Sequence, residues 1–230
     1  IIVTITVIST LIYPKLTQSY AVHDNMGFNK LVSIGCNLVV MIAVPCSLGA
    51  MLYSKQIIHI VYERGAFDTE AAAMTAGAFF FYSMGLLFVA MNQFLTKVYY
   101  SMHNMKIPMI LGMISVGLNI VLNLILIEPM KHEGLALASS LASGVNMCLL
   151  FFYMKYKYKD LIIFSSKKKL VLILGSAGIS VTLSYILYKF VLGNLHIELI
   201  RLVLVVLFAV LIYGMLLKVF KIEEIGLMKK

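Results

Sequence analysis

Lys97, Gln93 and Asn92 place an ionisable group and two amides deep inside an apolar run of this chain. Lys97 stands four residues before Ser101, where the run 73–100 ends, so about 6 Å of helical rise separates it from that end. An ammonium at that depth either snorkels to the lipid headgroups or faces a water-filled cavity, where it can bind an anion such as a phosphate. Gln93 lies one turn earlier on the same face and Asn92 adjoins it, which makes a polar stripe. A second set is Asn119 and Asn123 in one apolar run, with Ser139 and Ser143 in the next. Each pair is spaced i, i+4 and shares a helix face. A tight turn near residues 128–133 makes the two runs antiparallel neighbours. Counting from that turn sets Asn123 level with Ser139, and Asn119 level with Ser143 one turn deeper. Four side-chain oxygens so placed serve either interhelical hydrogen bonds or part of an alkali-cation site, since hard cations take oxygen ligands.

Other chemistry is sparse. All ten acidic residues lie outside the apolar runs. Ion relays ordinarily use an intramembrane carboxylate; if this protein couples to an ion gradient through one, that group is expected from a segment beyond this chain. The zinc-protease, nucleophile-elbow and phosphate-loop spacings are absent, which reads as a protein that is not an enzyme. His23, His59, His103, His132 and His196 each read as single surface residues in loops. Cys36, Cys46 and Cys148 fall inside apolar runs and read as small hydrophobes, not a disulfide framework. Gly175, Ser176, Gly178, Ser180 and Ser184 read as a face for close helix packing.

The elements that must position these groups are membrane helices. Hydrophobic residues make up 61% of the 230 and charged residues 13%, with a mean hydropathy of +0.96. A soluble domain is nearer half apolar and a quarter charged. The fold class is therefore an all-α integral membrane protein; a β-barrel would show short alternating segments instead. Six runs are long enough to cross a bilayer: 33–53, 73–100, 107–127, 134–154, 170–190 and 200–217. Residues 1–13 are equally apolar, but they rise only ~20 Å as a helix, short of a ~30 Å hydrocarbon core. They read as the truncated end of a further helix, and the chain as the C-terminal part of a larger membrane protein. Pro45, in the middle of its run, is expected to kink it.

Charge placement orients the spans. Thirteen of the nineteen Lys and Arg residues collect at one set of span ends, among them Lys15, Lys30, Lys106, Lys155, Lys157, Lys159, Lys167, Lys168 and Lys169. Five collect at the other: Lys55, Arg64, Lys131, Lys189 and Arg201. The positive-inside rule makes the first set cytoplasmic, with the C-terminus. The formal net charge of +9 thus points to anionic lipid headgroups and not to nucleic acid. Tyr153, Tyr156 and Tyr158 interleave with Lys155, Lys157 and Lys159, a composition suited to the headgroup layer. Residues 15–31, with Leu16, Tyr20 and Phe28 among polar neighbours, suggest a short helix lying on the cytoplasmic surface.

Five segments carry a resemblance. IYPKLTQSY (12–20), YERGAFD (62–68), YYSMHNMKIP (99–108), NIVLNLILI (119–127) and HEGLALASS (132–140) resemble, in order and spacing, the MurJ/MviN family of lipid II flippases. That family belongs to the multidrug/oligosaccharidyl-lipid/polysaccharide exporter superfamily, whose multidrug (MATE) branch shares its lobes. The resemblance implies two six-helix lobes around a central cavity, followed by two extra helices. Residues 1–154 would then be the MATE-like second lobe, from the end of helix eight to helix twelve. Residues 155–169 would be a basic cytoplasmic loop, 170–217 the two extra helices and 218–230 a cytoplasmic tail.

The implied activity moves the undecaprenyl-pyrophosphate-linked peptidoglycan precursor across the bacterial cytoplasmic membrane by alternating access. The implied partners are that precursor, the missing N-terminal lobe and anionic headgroups. The family's cavity arginines fall mostly before Ile1, and its last two helices shape a groove for the polyprenyl tail. No organic cofactor is implied; Na+ or the membrane potential is the expected driving force. The family's sodium site would fall on Asn119, Asn123, the Leu135 backbone and Ser139. It expects a carboxylate where Asn123 stands, and often an aspartate where Asn104 stands. Arg64 and Asp68, in the outer loop, are candidates for gate contacts or simply a surface turn. Other readings are a polysaccharide-lipid flippase or drug/cation antiporter of the same superfamily, or a non-transporting membrane assembly subunit. Twelve-helix relatives would end near Met154, so the two extra helices favour the lipid II reading.

Overall fold

A computed structural model describes residues 2–62, 69–159, 161, 163–164, 166–191 and 198–220. Among them there is no strand. The helices are α1 (Ile2–Ala21), α2 (Asn25–Leu52), α3 (Ser54–Tyr62), α4 (Thr69–Ser101), α5 (Lys106–Lys157), α6 (Lys167–Ile186) and α7 (Glu198–Val219). A π turn over Leu187–Val191 extends α6.

Local signals set the helix ends. Asp24 caps α2 by accepting the Gly27 N–H at 2.9 Å, the role of an aspartate ahead of an apolar run. Tyr53 closes the same helix, its N–H reaching the Gly49 carbonyl at 3.0 Å. In α5 a single residue, Lys131, leaves helical geometry at φ 50°, just after Pro129. The chain folds back there, so α5 is two arms, 106–130 and 132–157. Gly134 allows it: a Cβ at that position would collide with the Leu126 carbonyl of the first arm.

Five helices are long and apolar enough to cross a membrane: α2, α4, α5, α6 with its π turn, and α7. Each arm of α5 would rise roughly 35–40 Å, sufficient for a crossing of its own. The expected runs 107–127 and 134–154 are these two arms. α1 is not among the five; its apolar character ends at Tyr13, and Pro14–Ala21 is largely polar.

Residues 15–31 correct the expectation of a separate surface helix. Helix α1 runs through Pro14 to Ala21 and α2 already begins at Asn25. The apolar spacing of 15–31 belongs to the ends of two long helices, with Leu16 and Phe28 both buried in the main core. The short helix α3 was not foreseen. It packs on α4, with contacts to α2 and α7, through buried Ser54 and Ile58.

Side-chain pairs fix the direction of the helices. Gln93 meets Thr6 and Lys97 meets Tyr13, so α1 and α4 run parallel. Along α4, Gly85, Asn92 and Tyr99 recur every seven residues and meet Ser140, the Ser143 carbonyl and the Leu150 carbonyl of the second α5 arm. A seven-residue repeat keeps one seam of two helices in register. Gly85 permits closest approach, since a Cβ there would strike the Ser140 side chain. Tyr53 Oη bonds Ser184 Oγ at 2.9 Å, joining the C-terminal ends of α2 and α6. Tyr213 of α7 donates to the Met41 carbonyl at 2.8 Å. Successive long helices therefore alternate in direction, and the lysine-rich ends gather at one end of the bundle.

The last two helices are held at the opposite end by a compact cluster. Arg201 donates from Nε and Nη2 to the Tyr188 carbonyl, at 3.2 and 2.6 Å. Its guanidinium carbon lies 3.8 Å from the centre of the Tyr188 ring, a stacked cation–π geometry. The Tyr188 ring meets Tyr53 edge-on at 5.6 Å. On α6, Ser176, Ser180 and Ser184 are buried, whereas Gly175 and Gly178 face open space. Of those five small residues the serines do the close packing, beside Ile173 and Ala177.

Candidate functional site

The polar stripe of α4 divides between two neighbours. Gln93 Nε2 donates to Thr6 Oγ1 of α1 at 2.6 Å. One turn on, the half-buried Lys97 sets its Nζ 5.7 Å from the centre of the Tyr13 ring. Asn92 points elsewhere: its Nδ2 donates to the Ser143 carbonyl of α5 at 2.8 Å. Adjacent helical residues sit about 100° apart, so Asn92 cannot share a groove with Gln93. The candidate trio is therefore a pair, Gln93 and Lys97, along the groove between α1 and α4.

Among the described residues no carboxylate pairs with Lys97. Its neighbour is the negative face of an aromatic ring, which holds a cation without neutralising it. Gln93 Oε1 is buried and has no hydrogen-bond partner. The contact between α1 and α4 thus offers one cation to an anion, Lys97; the Gln93 N–H is already given to Thr6. Thr6 and Tyr13 were not singled out from the sequence. They lie seven residues apart on α1 and so share a face; that pattern, opposite a Gln–Lys pair on another helix, was the available signal.

The oxygen set on α5 comes together, in a different register. Asn123 Nδ2 donates to Asn119 Oδ1 at 2.9 Å. Asn119 Nδ2 donates to Ser139 Oγ at 3.2 Å, and Ser139 donates to the Leu135 carbonyl at 3.1 Å. One turn deeper, Ser115 Oγ reaches the Ala142 carbonyl at 3.0 Å. Asn119 therefore faces Ser139, not Ser143, a shift of one turn from the count based on the loop. The cause is the seat of Gly134 against Leu126, which lets the last turn of the first arm overhang the start of the second.

Sodium coordination needs oxygens aimed at a common point. Here three of the four are spent on one another, and the set holds no carboxylate. Of these four oxygens, Asn123 Oδ1 is the one buried without a partner among the described residues. This donor set fits a neutral hydrogen-bonded lock between the arms and does not fit a cation. Asn104 has a related gap: its Nδ2 is buried and unpartnered, the donor an aspartate would not carry.

Arg64 and Asp68 lie outside the described residues, as does His196. His59 sits in α3 and not in a loop, with Nε2 3.3 Å from Glu198 Oε2 of α7. The three cysteines are free.

Alternating apolar helices, with a polar groove between two of them, define a multi-pass helical membrane protein. The chain belongs to the family described as "Lipid II flippase MurJ", whose model matches residues 1–220. A "Probable lipid II flippase MurJ" of Treponema pallidum is 31% identical over 152 residues, 66% of this chain and 29% of that protein. The Thermotoga maritima protein of the same description is 30% identical over 184 residues, 80% of this chain and 37% of that one. The solved structure "Lipid II flippase MurJ, inward closed conformation" superposes with a TM-score of 0.79. It covers 95% of this chain and 43% of that chain at 23% identity, a likeness of fold. The chain spans about a third of the length of the curated relatives it matches.

Proposed function

We propose that this chain forms the second lobe and the two additional helices of a lipid II flippase. That protein would carry the undecaprenyl-pyrophosphate-linked peptidoglycan precursor across the bacterial cytoplasmic membrane. The carrying observation is Lys97: a half-buried lysine within a membrane-length helix, its ammonium beside an aromatic face and no carboxylate among the described residues, in a chain of this family. A pyrophosphate cannot enter hydrocarbon unaided, because stripping water from a charge costs far more than any single contact returns. A polar groove lowers that cost. No bond is made or broken, so no catalytic group is needed.

In this reading Lys97 meets the headgroup along the α1–α4 groove, Gln93 ties α4 to α1 beside it, and a first lobe supplies the rest of the anion site. The two lobes rock about it, giving alternating access. Arg64 and Asp68 would close the outer mouth. The lysine-rich end is cytoplasmic, together with the C-terminus, and lies against anionic headgroups. The membrane potential is the driving force that suits a charged headgroup, and the Asn119–Ser139 chain serves as a structural lock.

The test is complementation. The full-length protein should sustain growth and wall synthesis in cells depleted of their own lipid II flippase, and Lys97→Ala should lower that rescue sharply at equal membrane abundance. Full rescue by Lys97→Ala removes the groove from the account. No rescue by the intact protein removes the activity.

A further inference from the structure

An apolar feature lies away from the polar α1–α4 groove. Between α4 and the second arm of α5 runs an open furrow of about 400 Å³, within the ~300–1,000 Å³ of ordinary ligand sites. Phe88, Val145, Cys148 and Phe152 line it, and Gly144 forms its floor. A Cβ at Gly144 would sit 3.3 Å from the Phe88 ring, tight enough that the ring would have to shift.

The furrow follows one face of the second α5 arm toward its lysine-rich end. Gly144, Cys148 and Phe152 are spaced by four, and the same stripe continues into Lys155 and Tyr156. Both are exposed, as is Lys159 in the turn that follows. The apolar furrow thus opens under a basic, aromatic rim. The stretch 155–169 carries six lysines and one acid. A helix C-terminus by itself repels anions. Here the Met154 carbonyl is taken by the Tyr158 N–H at 2.9 Å, and the lysines set the local sign.

An apolar slot beneath a cationic rim matches one chemistry, an acyl chain attached to a phosphate. We propose that this furrow holds one acyl chain of an anionic phospholipid from the leaflet at the lysine-rich end, with its phosphate at Lys155 and Lys159. The proposal deepens the headgroup partnership above by giving it a site. It does not depend on which substrate is transported.

Native mass spectrometry of the full-length protein, with phosphatidylglycerol or phosphatidylethanolamine added, tests it. The wild-type protein should retain phosphatidylglycerol preferentially. Lys155→Gln with Lys159→Gln should weaken that retention about ten- to thirtyfold, as two near-surface lysines imply. Gly144→Leu should weaken it too, whereas Lys168→Gln with Lys169→Gln should leave it largely intact. If Gly144→Leu fails to accumulate, Cys148→Phe fills the same furrow from its open side. Equal retention of the two lipids overturns the proposal. So does an equal loss in both lysine pairs with the furrow variants silent, which would leave only a diffuse basic surface. Displacement of phosphatidylglycerol by undecaprenyl phosphate would also overturn it, by assigning the furrow to a polyprenyl chain.

Discussion

Lys97 carries the account at the scale of single residues. Its worth lies in what it lacks: half-buried beside Tyr13, it has no carboxylate partner among the described residues. A charged hydrogen bond to a phosphate is worth about 1.5–3 kcal/mol, so Lys97→Ala should slow translocation by the full-length protein roughly ten- to a hundredfold. Lys97→Arg should keep most of the rate, since it keeps the charge. Tyr13→Phe should be nearly silent, because the ring face and not the hydroxyl meets the ammonium. A rate lost on removing that hydroxyl would show that Tyr13 binds substrate itself.

Lys97 was legible because a cation inside an apolar run is rare. Its partners were not: Thr6 and Tyr13 come from a helix far away in sequence, and only the parallel packing of α1 on α4 brings them near. Asn92 looked like part of the same stripe. One residue of helical rotation sends it to α5 instead.

The α5 hairpin is the clearest case at the scale of elements. Its turn was readable from residues 128–133, and Asn119, Asn123 and Ser139 do converge. The register was not readable, because it depends on how closely Gly134 seats on Leu126, a contact of backbone with backbone. Gly134→Val should therefore cost about 1–3 kcal/mol, the range for forced overpacking, read as a lower unfolding midpoint of the full-length protein. Asn119→Ala should cost about 0.6–2 kcal/mol, as interhelical hydrogen bonds in membranes do. Because these oxygens bond one another, unfolding curves in sodium and in potassium buffer should superimpose. A sodium-specific rise in the midpoint would show a cation in the hairpin. Residues 15–31 misled for a related reason: apolar spacing at the ends of two long helices resembles one short amphipathic helix.

The whole molecule is a bundle whose long helices alternate in direction, with most of its cations at one end. Composition made the membrane class and the apolar spans legible, because twenty-residue runs have few other solutions in water or lipid. The attachment of α6 and α7 was not legible. It includes a π turn, a stacked arginine and the Tyr53–Ser184 and Tyr213–Met41 bonds, none of which has a sequence period. The orientation can be checked by labelling single cysteines in intact cells. Lys155→Cys and Lys218→Cys should be shielded from an impermeant thiol reagent, and Lys131→Cys should react. The reverse pattern would turn the orientation of the lysine-rich end upside down.

Translocation by the purified full-length protein separates a flippase from an inert bundle. In vesicles carrying lipid II in the leaflet at the lysine-rich end, the protein should deliver the headgroup to the opposite leaflet, where an impermeant reagent reaches it. Lys97→Ala vesicles should deliver it at a tenth of that rate or less. Delivery no faster than in protein-free vesicles would contradict the flippase assignment. Equal rates for Lys97→Ala and the unaltered protein would contradict a role for the α1–α4 groove in headgroup passage.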